Sequence, residues 1–214
     1  MKTPPRLRLR LQKATFPHTT VPEGTRRRIL EVGLQLFASR GFHDTSVRDL
    51  AKELELQPSA LYAHFPSKDH VLAELVRIGH EALHAALRTA LLSAGSHPAD
   101  QVRALVRAHT HLHATYPQMA VVVNEELYAL APELAAPALA LRDQSSALLL
   151  EVIARGEEQG VFAPPHSVVT AVAIAAMGLR IPYWFEPSDA LDINALADLH
   201  AELALRMLGG RTTT

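Results

Sequence analysis

Residues 57–69 read QPSALYAHFPSKD, a polar-faced stretch in a chain otherwise rich in Ala, Leu and Val. Pro58 opens it at the first position of a helix, where a missing N–H costs nothing, and Pro66 closes it. Between the prolines, Leu61 and Phe65 stand at i and i+4 and share the inward face. Ser59, Ala60, Tyr62 and His64 lie off that line and face out. A helix this short buries little, so its outward face is the part that needs explaining.

The flanking sequence gives it a setting. Upstream, Thr45 or Ser46 can cap a helix that carries Val47, Leu50, Ala51 and Leu54 inward, and Glu55-Leu56-Gln57 makes a tight turn into Pro58. Before that, Ile29, Leu30, Leu34, Leu36 and Phe37 form the apolar face of a helix that starts at Thr25 and stops at Gly41. Downstream, Ser67 caps a fourth helix. Three short helices with a three-residue turn between the second and third make a helix-turn-helix, whose third helix can enter the DNA major groove.

Charge supports a polyanionic partner for this part. Residues 1–70 hold 12 Lys/Arg against 7 Asp/Glu, and residues 71–214 hold 9 against 15, although the whole chain carries a formal charge of only −1. The front third is basic and the remainder acidic. Five Lys/Arg fall in the first 13 residues, among them Arg6, Arg8, Arg10 and Lys13, with Pro4, Pro5, Pro17 and Pro22 around them. We read 1–22 as a flexible basic arm, either lying along a DNA groove or solvated.

With 214 residues, 48% of them hydrophobic, the chain has ample material for a core. It has no Cys, which excludes a disulfide scaffold, thiolate metal sites and cysteine catalysis. The run Val168–Leu179 is too short to span a bilayer, and the N-terminus is charged where a signal peptide is apolar. The expectation is a soluble cytoplasmic protein without a membrane partner.

The segments TSVRDLAKELELQPSALYAHFPSKDHVLAEL (45–75) and RRRILEVGLQLFASRGF (26–42) resemble the DNA-binding domain of the TetR family of bacterial transcriptional regulators, over residues 25 to about 75. The resemblance implies an all-α protein: a helix-turn-helix domain over 23–67 and a helical ligand-binding and dimerisation domain over 68–214. It implies phosphate contacts from Tyr62, Lys68 and Thr45 or Ser46, base-edge contacts from Arg48, Ser59 and Ala60, and His64 at a phosphate or a base. The chemistry fits these roles: Arg forks onto guanine O6/N7, small residues let the helix approach, and hydroxyls bond phosphate oxygens. The plainer reading has Tyr62 and His64 packing between helices. Glu55 departs from the family, which usually has Gly in this turn, and would place a side chain in a left-handed position.

Beyond Lys68, Pro and Gly signals divide the chain into helices near 68–94, 98–115, 117–129, 132–159, 167–185 and 190–208. The last two are apolar on more than one face. In the TetR family such helices pair with their copies, which gives a homodimer matched to a palindromic operator. Segment 177–210, MGLRIPYWFEPSDALDINALADLHAELALRMLGG, resembles the C-terminal end of TetR-type repressors that respond to acyl-CoA thioesters. That resemblance implies that Arg180 and Trp184 face a ligand, in a pocket drawn from 100–185; on the helix after Pro117, Asn124 and Tyr128 are read as further polar groups for such a pocket. A drug or aromatic inducer, as in a repressor of an efflux pump, stays open beside it. Pro182 removes a hydrogen bond to the Gly178 carbonyl and is expected to kink its helix.

Enzyme readings have little to stand on. His80/His84 and His109/His113 are i, i+4 pairs that would put two imidazoles on one helix face; residues 80–84, HEALH, match the HExxH pattern by letters, but a metal would need further ligands from elsewhere in the chain. GxSxG, GxGxxG and GxxxxGK[ST] are absent. No enzyme activity, metal or cofactor is expected. A helical adaptor for protein partners remains as a third class, which binding of random duplex DNA at low salt would argue against.

Overall fold

The computed structural model describes residues 15–17 and 21–209, so most of the arm expected at 1–22 lies outside the described residues. Among the described residues there are nine α-helices: α1 (Thr25–Arg40), α2 (Val47–Glu53), α3 (Pro58–Tyr62), α4 (Lys68–Ser93), α5 (Pro98–Thr115), α6 (Pro117–Val121), α7 (Pro132–Glu158), α8 (Ser167–Trp184) and α9 (Ile193–Met207). No strand forms among them; Ser188 and Leu191 make one isolated bridge. The chain separates into two compact units. The first runs to Ala82 and includes Tyr116–Ala140; the second holds Leu83–Thr115 and the chain from Leu141 on. The first unit thus extends past residue 67 and takes in part of α4, all of α6 and the start of α7.

In the first unit, Ile29, Leu30, Leu34 and Phe37 of α1 pack with Leu50, Leu61 and Phe65, and with Val71, Leu72 and Leu75 of α4. These are the positions whose spacing marks one face of each helix. Ser46, not Thr45, caps α2: its Oγ accepts from Asp49 N–H, and the Asp49 carboxylate accepts from Ser46 N–H, a reciprocal capping box. Glu55 has φ 56°, the one described non-glycine residue at positive φ. Only glycine holds that conformation without strain. We therefore expect Glu55→Gly to raise stability by about 0.5–1 kcal/mol, read as a higher urea midpoint at unchanged slope. A lower midpoint would mean that the Glu side chain contributes more than the strain removes.

The helix expected over 117–129 is not uniform. After α6 the backbone widens into a π turn, Val122–Glu126, and then tightens into a 3-10 turn, Leu127–Ala129. Asn124 Nδ2 donates to Ala120 O at 2.7 Å, and so competes for the carbonyl that a regular α-helix gives to the main-chain N–H of residue 124. Gly79 of α4 allows close passage here, since a Cβ on it would lie 2.3 Å from Val123 Cγ1.

In the second unit, α9 lies along α5. Arg107 pairs with Asp198, His111 with Asn194 at 2.9 Å, and the buried Thr110 hydroxyl with His200 Nδ1 at 3.0 Å. Leu105, Val106, Ile174, Ala201, Ala204 and Leu205 fill the space between them and α8. Pro182 does not end α8, which runs on to Trp184. The α8 backbone approaches α5 at Gly178, where a Cβ would stand 2.1 Å from His109 Nδ1. His109 and His113 stack with ring centroids 4.2 Å apart, and the His113 Nδ1–H donates to His109 O at 2.9 Å. Burial pushes the His113 pKa down to about 4. It pushes His109 down too, with the nearby His113 and His200 adding to the effect. Both rings are therefore neutral at physiological pH.

Candidate nucleic-acid interface

The outward face of α3 is as its spacing implies. Ser59, Tyr62, Ala63 and His64 are exposed, and Ala60 is half-buried. Tyr62 is 54% exposed, which removes the reading in which it packs between helices. Arg48 and Lys52 on α2 are exposed as well, so α2 and α3 together present cations, a phenol, an imidazole and small side chains to solvent. That combination suits phosphate and base-edge contact.

Other cations of the basic front third hold the motif together. Arg26 Nη1 donates to His64 O, just past the end of α3, at 2.8 Å, and its guanidinium lies 4.1 Å from the Phe65 ring centroid. Arg28 Nη2 reaches Leu54 O, at the end of α2, at 3.4 Å. Both place positive charge at helix C-termini, where the carbonyls lack intrahelical partners. Arg26 also faces Glu74 of α4 at 3.6 Å. Glu74 pairs with Arg77 too, and the Arg77 hydrogen bond is the first cause holding its carboxyl below the ordinary range. A cleft of about 260 Å³ opens here, lined by Arg26, His64, Phe65, Glu74, Arg77 and Leu134 among others.

Two expected phosphate contacts are placed differently. Thr45 is fully buried, and its Oγ1 donates to Gly41 O at 2.8 Å, so the hydroxyl is spent inside the loop. Lys68 turns inward: Nζ donates to Phe42 O and Thr45 O, each at 2.7 Å. Spacing alone did not reveal these acceptors, because they lie more than twenty residues upstream. Ser46 is exposed, but its Oγ and N–H are engaged in the capping box.

The ligand candidates divide between the units. Asn124 and Tyr128 belong to the first, Arg180 and Trp184 to the second. Arg180 is exposed, with its guanidinium 4.2 Å from the Tyr183 ring centroid. Trp184, one turn further along the same helix, is 51% exposed. Among the described residues no group of three or more His, Asp or Glu is placed to hold a metal ion. Instead, His84 bonds Ser145, and His109 and His113 stack on each other.

Comparison with known proteins agrees with this geometry. Residues 29–75 match the family described as bacterial regulatory proteins, tetR family, and residues 95–208 match the tetracyclin repressor-like C-terminal domain. The HTH-type transcriptional repressor KstR2 of Rhodococcus jostii is 24% identical over 191 residues, which is 87% of this chain and 92% of that one. The crystal structure of a regulatory protein in the tetR family from Rhodococcus RHA1 superposes with a TM-score of 0.82 at 29% identity, over 89% of this chain and all of that one. AibR in complex with isovaleryl coenzyme A and operator DNA has the same fold, with a TM-score of 0.76 at 22% identity over 87% of this chain and 99% of that one. The outward-facing α3 with its supporting α1 and α2, the helical second unit and these matches together place the chain in the TetR family of DNA-binding transcriptional repressors.

Proposed function

We propose that this repressor is a homodimer that leaves a palindromic operator when an acyl-CoA thioester binds. The observation that carries the ligand class is on α8. Along this otherwise uncharged helix, Arg180 and Trp184 are both exposed and one turn apart, a cation and a flat apolar surface on one side of a rod. A guanidinium suits the phosphates or thioester carbonyl of such a ligand, and an indole suits its pantetheine or acyl chain. AibR supports this reading as a protein of the same fold that holds a CoA thioester together with DNA. A ligand of this kind releases DNA only if it binds more tightly to a conformation whose two reading heads no longer match successive major grooves.

The dimer rests on the same helices. Val168, Val169 and Val172 of α8 and Leu199 and Leu203 of α9 are exposed. Only a third of α8 is buried within the protein. A two-fold pairing of α8 and α9 with their copies would remove this apolar surface from water.

On the DNA side, Arg48, Ser59 and Ala60 are assigned to base edges and Tyr62 to phosphate, with His64 at either. Arg48→Ala should cost about 1–3 kcal/mol at one base pair, whereas Tyr62→Ala should weaken binding to all sequences alike. Titrating both variants against an operator and its point mutants in a gel shift distinguishes these patterns. Equal losses on every sequence for both variants would take Arg48 off the base edge.

The ligand reading is tested by release. Arg180→Met and Trp184→Ala should keep operator binding yet stay on DNA at an acyl-CoA concentration that frees the parent. If no acyl-CoA from short to long chain frees the parent, or if both variants are freed like it, the thioester is the wrong ligand. A drug or aromatic inducer then becomes the reading to pursue.

A further inference from the structure

We propose that Lys68 is a positioning residue for operator binding: it fixes the loop that launches α2 and does not itself touch DNA. Its ammonium has three N–H groups. It donates to Phe42 O and Thr45 O, both at 2.7 Å, while the Phe42 ring covers the nitrogen at 4.0 Å from its centroid. To meet a phosphate, the side chain would have to leave two charge-assisted hydrogen bonds and a cation–π contact. Partial burial lowers its pKa from the ordinary lysine value, against the pull of Asp69 and Asp44.

What it holds explains why the contact bears on DNA. Phe42 O accepts from Thr45 N at 3.3 Å as well as from Lys68. Thr45 is anchored by its own hydroxyl on Gly41 O. The next residue, Ser46, is the cap of α2. The chain of contacts therefore runs from the first turn of α4, through the carbonyls of residues 42 and 45, to the cap that aims α2 and its exposed Arg48. Without the ammonium those carbonyls lose their shared cation and the loop gains freedom that binding must then remove.

The inference rests on this unit binding operator DNA, and salt dependence separates the two questions. Each phosphate that a lysine neutralises adds about 0.9 to the slope of log K against log salt. For the full-length protein on its operator, Lys68→Met should lower affinity about tenfold by the same factor at every salt concentration, leaving that slope at the parent's value. Lys68→Arg keeps the charge and could still reach a phosphate, but its planar fork does not fit two carbonyls beneath a ring, so it should lose affinity several-fold at parental slope. In the free protein, amide hydrogen exchange at Ser46 and Val47 should quicken in both variants. A slope shallower by about one in Lys68→Met, or parental affinity in Lys68→Arg, would overturn the proposal. Arg48→Ala serves as the control: if it weakens binding while neither Lys68 variant does, Lys68 has no role in positioning and the DNA interface itself stands. Should Lys68→Met not fold, the Arg variant carries the same decision.

Discussion

Phe65→Ala should destabilise the first unit by about 3–5 kcal/mol and abolish operator binding, because it empties a fully enclosed aromatic site directly behind the reading helix. Phe65 is 1% exposed and packs in the cluster that includes Leu61, Phe37 and Leu72. Arg26 lies over its ring while bonding the carbonyl of its neighbour His64. Truncation therefore removes the apolar contacts of the ring and, at the same time, the surface on which Arg26 is held beside α3. Phe65→Leu, which keeps most of the volume, should recover much of the loss. Urea denaturation followed by circular dichroism, with gel shifts of the same samples, tests both parts. If Phe65→Ala lost less than 1 kcal/mol, the site would have to collapse far better than its packing allows.

The second large effect concerns acid. His113 is buried and its pKa is lowered from the ordinary value near 6.5 to about 4; His109 and His200 are shifted in the same direction, first by burial. In the unfolded chain these rings take up protons below about pH 6.5, while the folded form refuses them. Between the two values the unfolded state binds more protons, so stability is whole above pH 6.5 and is lost as pH falls toward 4. His113 alone accounts for roughly 3 kcal/mol across that window. Asp49 and Glu74, whose pKa values are also lowered, act further down, below the usual carboxylate range. Trp184, the one tryptophan of the chain, lies in the same unit as His113 and reports its unfolding. His113→Leu should flatten the dependence of stability on pH between 6.5 and 5. An unchanged gradient in that interval would show that the ring is protonated in the folded protein.

Most helix boundaries were legible because Pro and Gly act locally. Gly41 ends α1, and Pro58, Pro98, Pro117 and Pro132 each open a helix, as their missing N–H groups permit. Pro182 also lacks a donor, and α8 passes through it to Trp184, in line with a helix read over 167–185. The π turn after Val121 was not legible, because a side-chain bond from Asn124 back to Ala120 decides it, and hydrophobic spacing does not record such a bond. The outward face of α3 followed from two apolar positions. The fates of Thr45 and Lys68 did not, since each depends on which carbonyl lies within reach once the chain has folded back. A surplus of Lys and Arg in the front third pointed to a polyanion, but composition could not distinguish Arg48, which faces out, from Arg26 and Arg28, which bind helix ends. The four ligand candidates shared a resemblance or a polar character, and neither property assigns residues to one unit.

The contact of Gly178 with the His109 ring bears on the order in which this protein can change over generations. With a Cβ at 178 only 2.1 Å from the imidazole, any side chain there is obstructed while histidine remains at 109. A smaller residue at 109 would leave space that glycine tolerates. The permitted route is therefore directional: position 109 shrinks first, position 178 may then grow, and the reverse order passes through an intermediate in which α8 cannot seat against α5. Lineages that retain the histidine stack are bound to retain the glycine as well, whatever ligand they come to recognise.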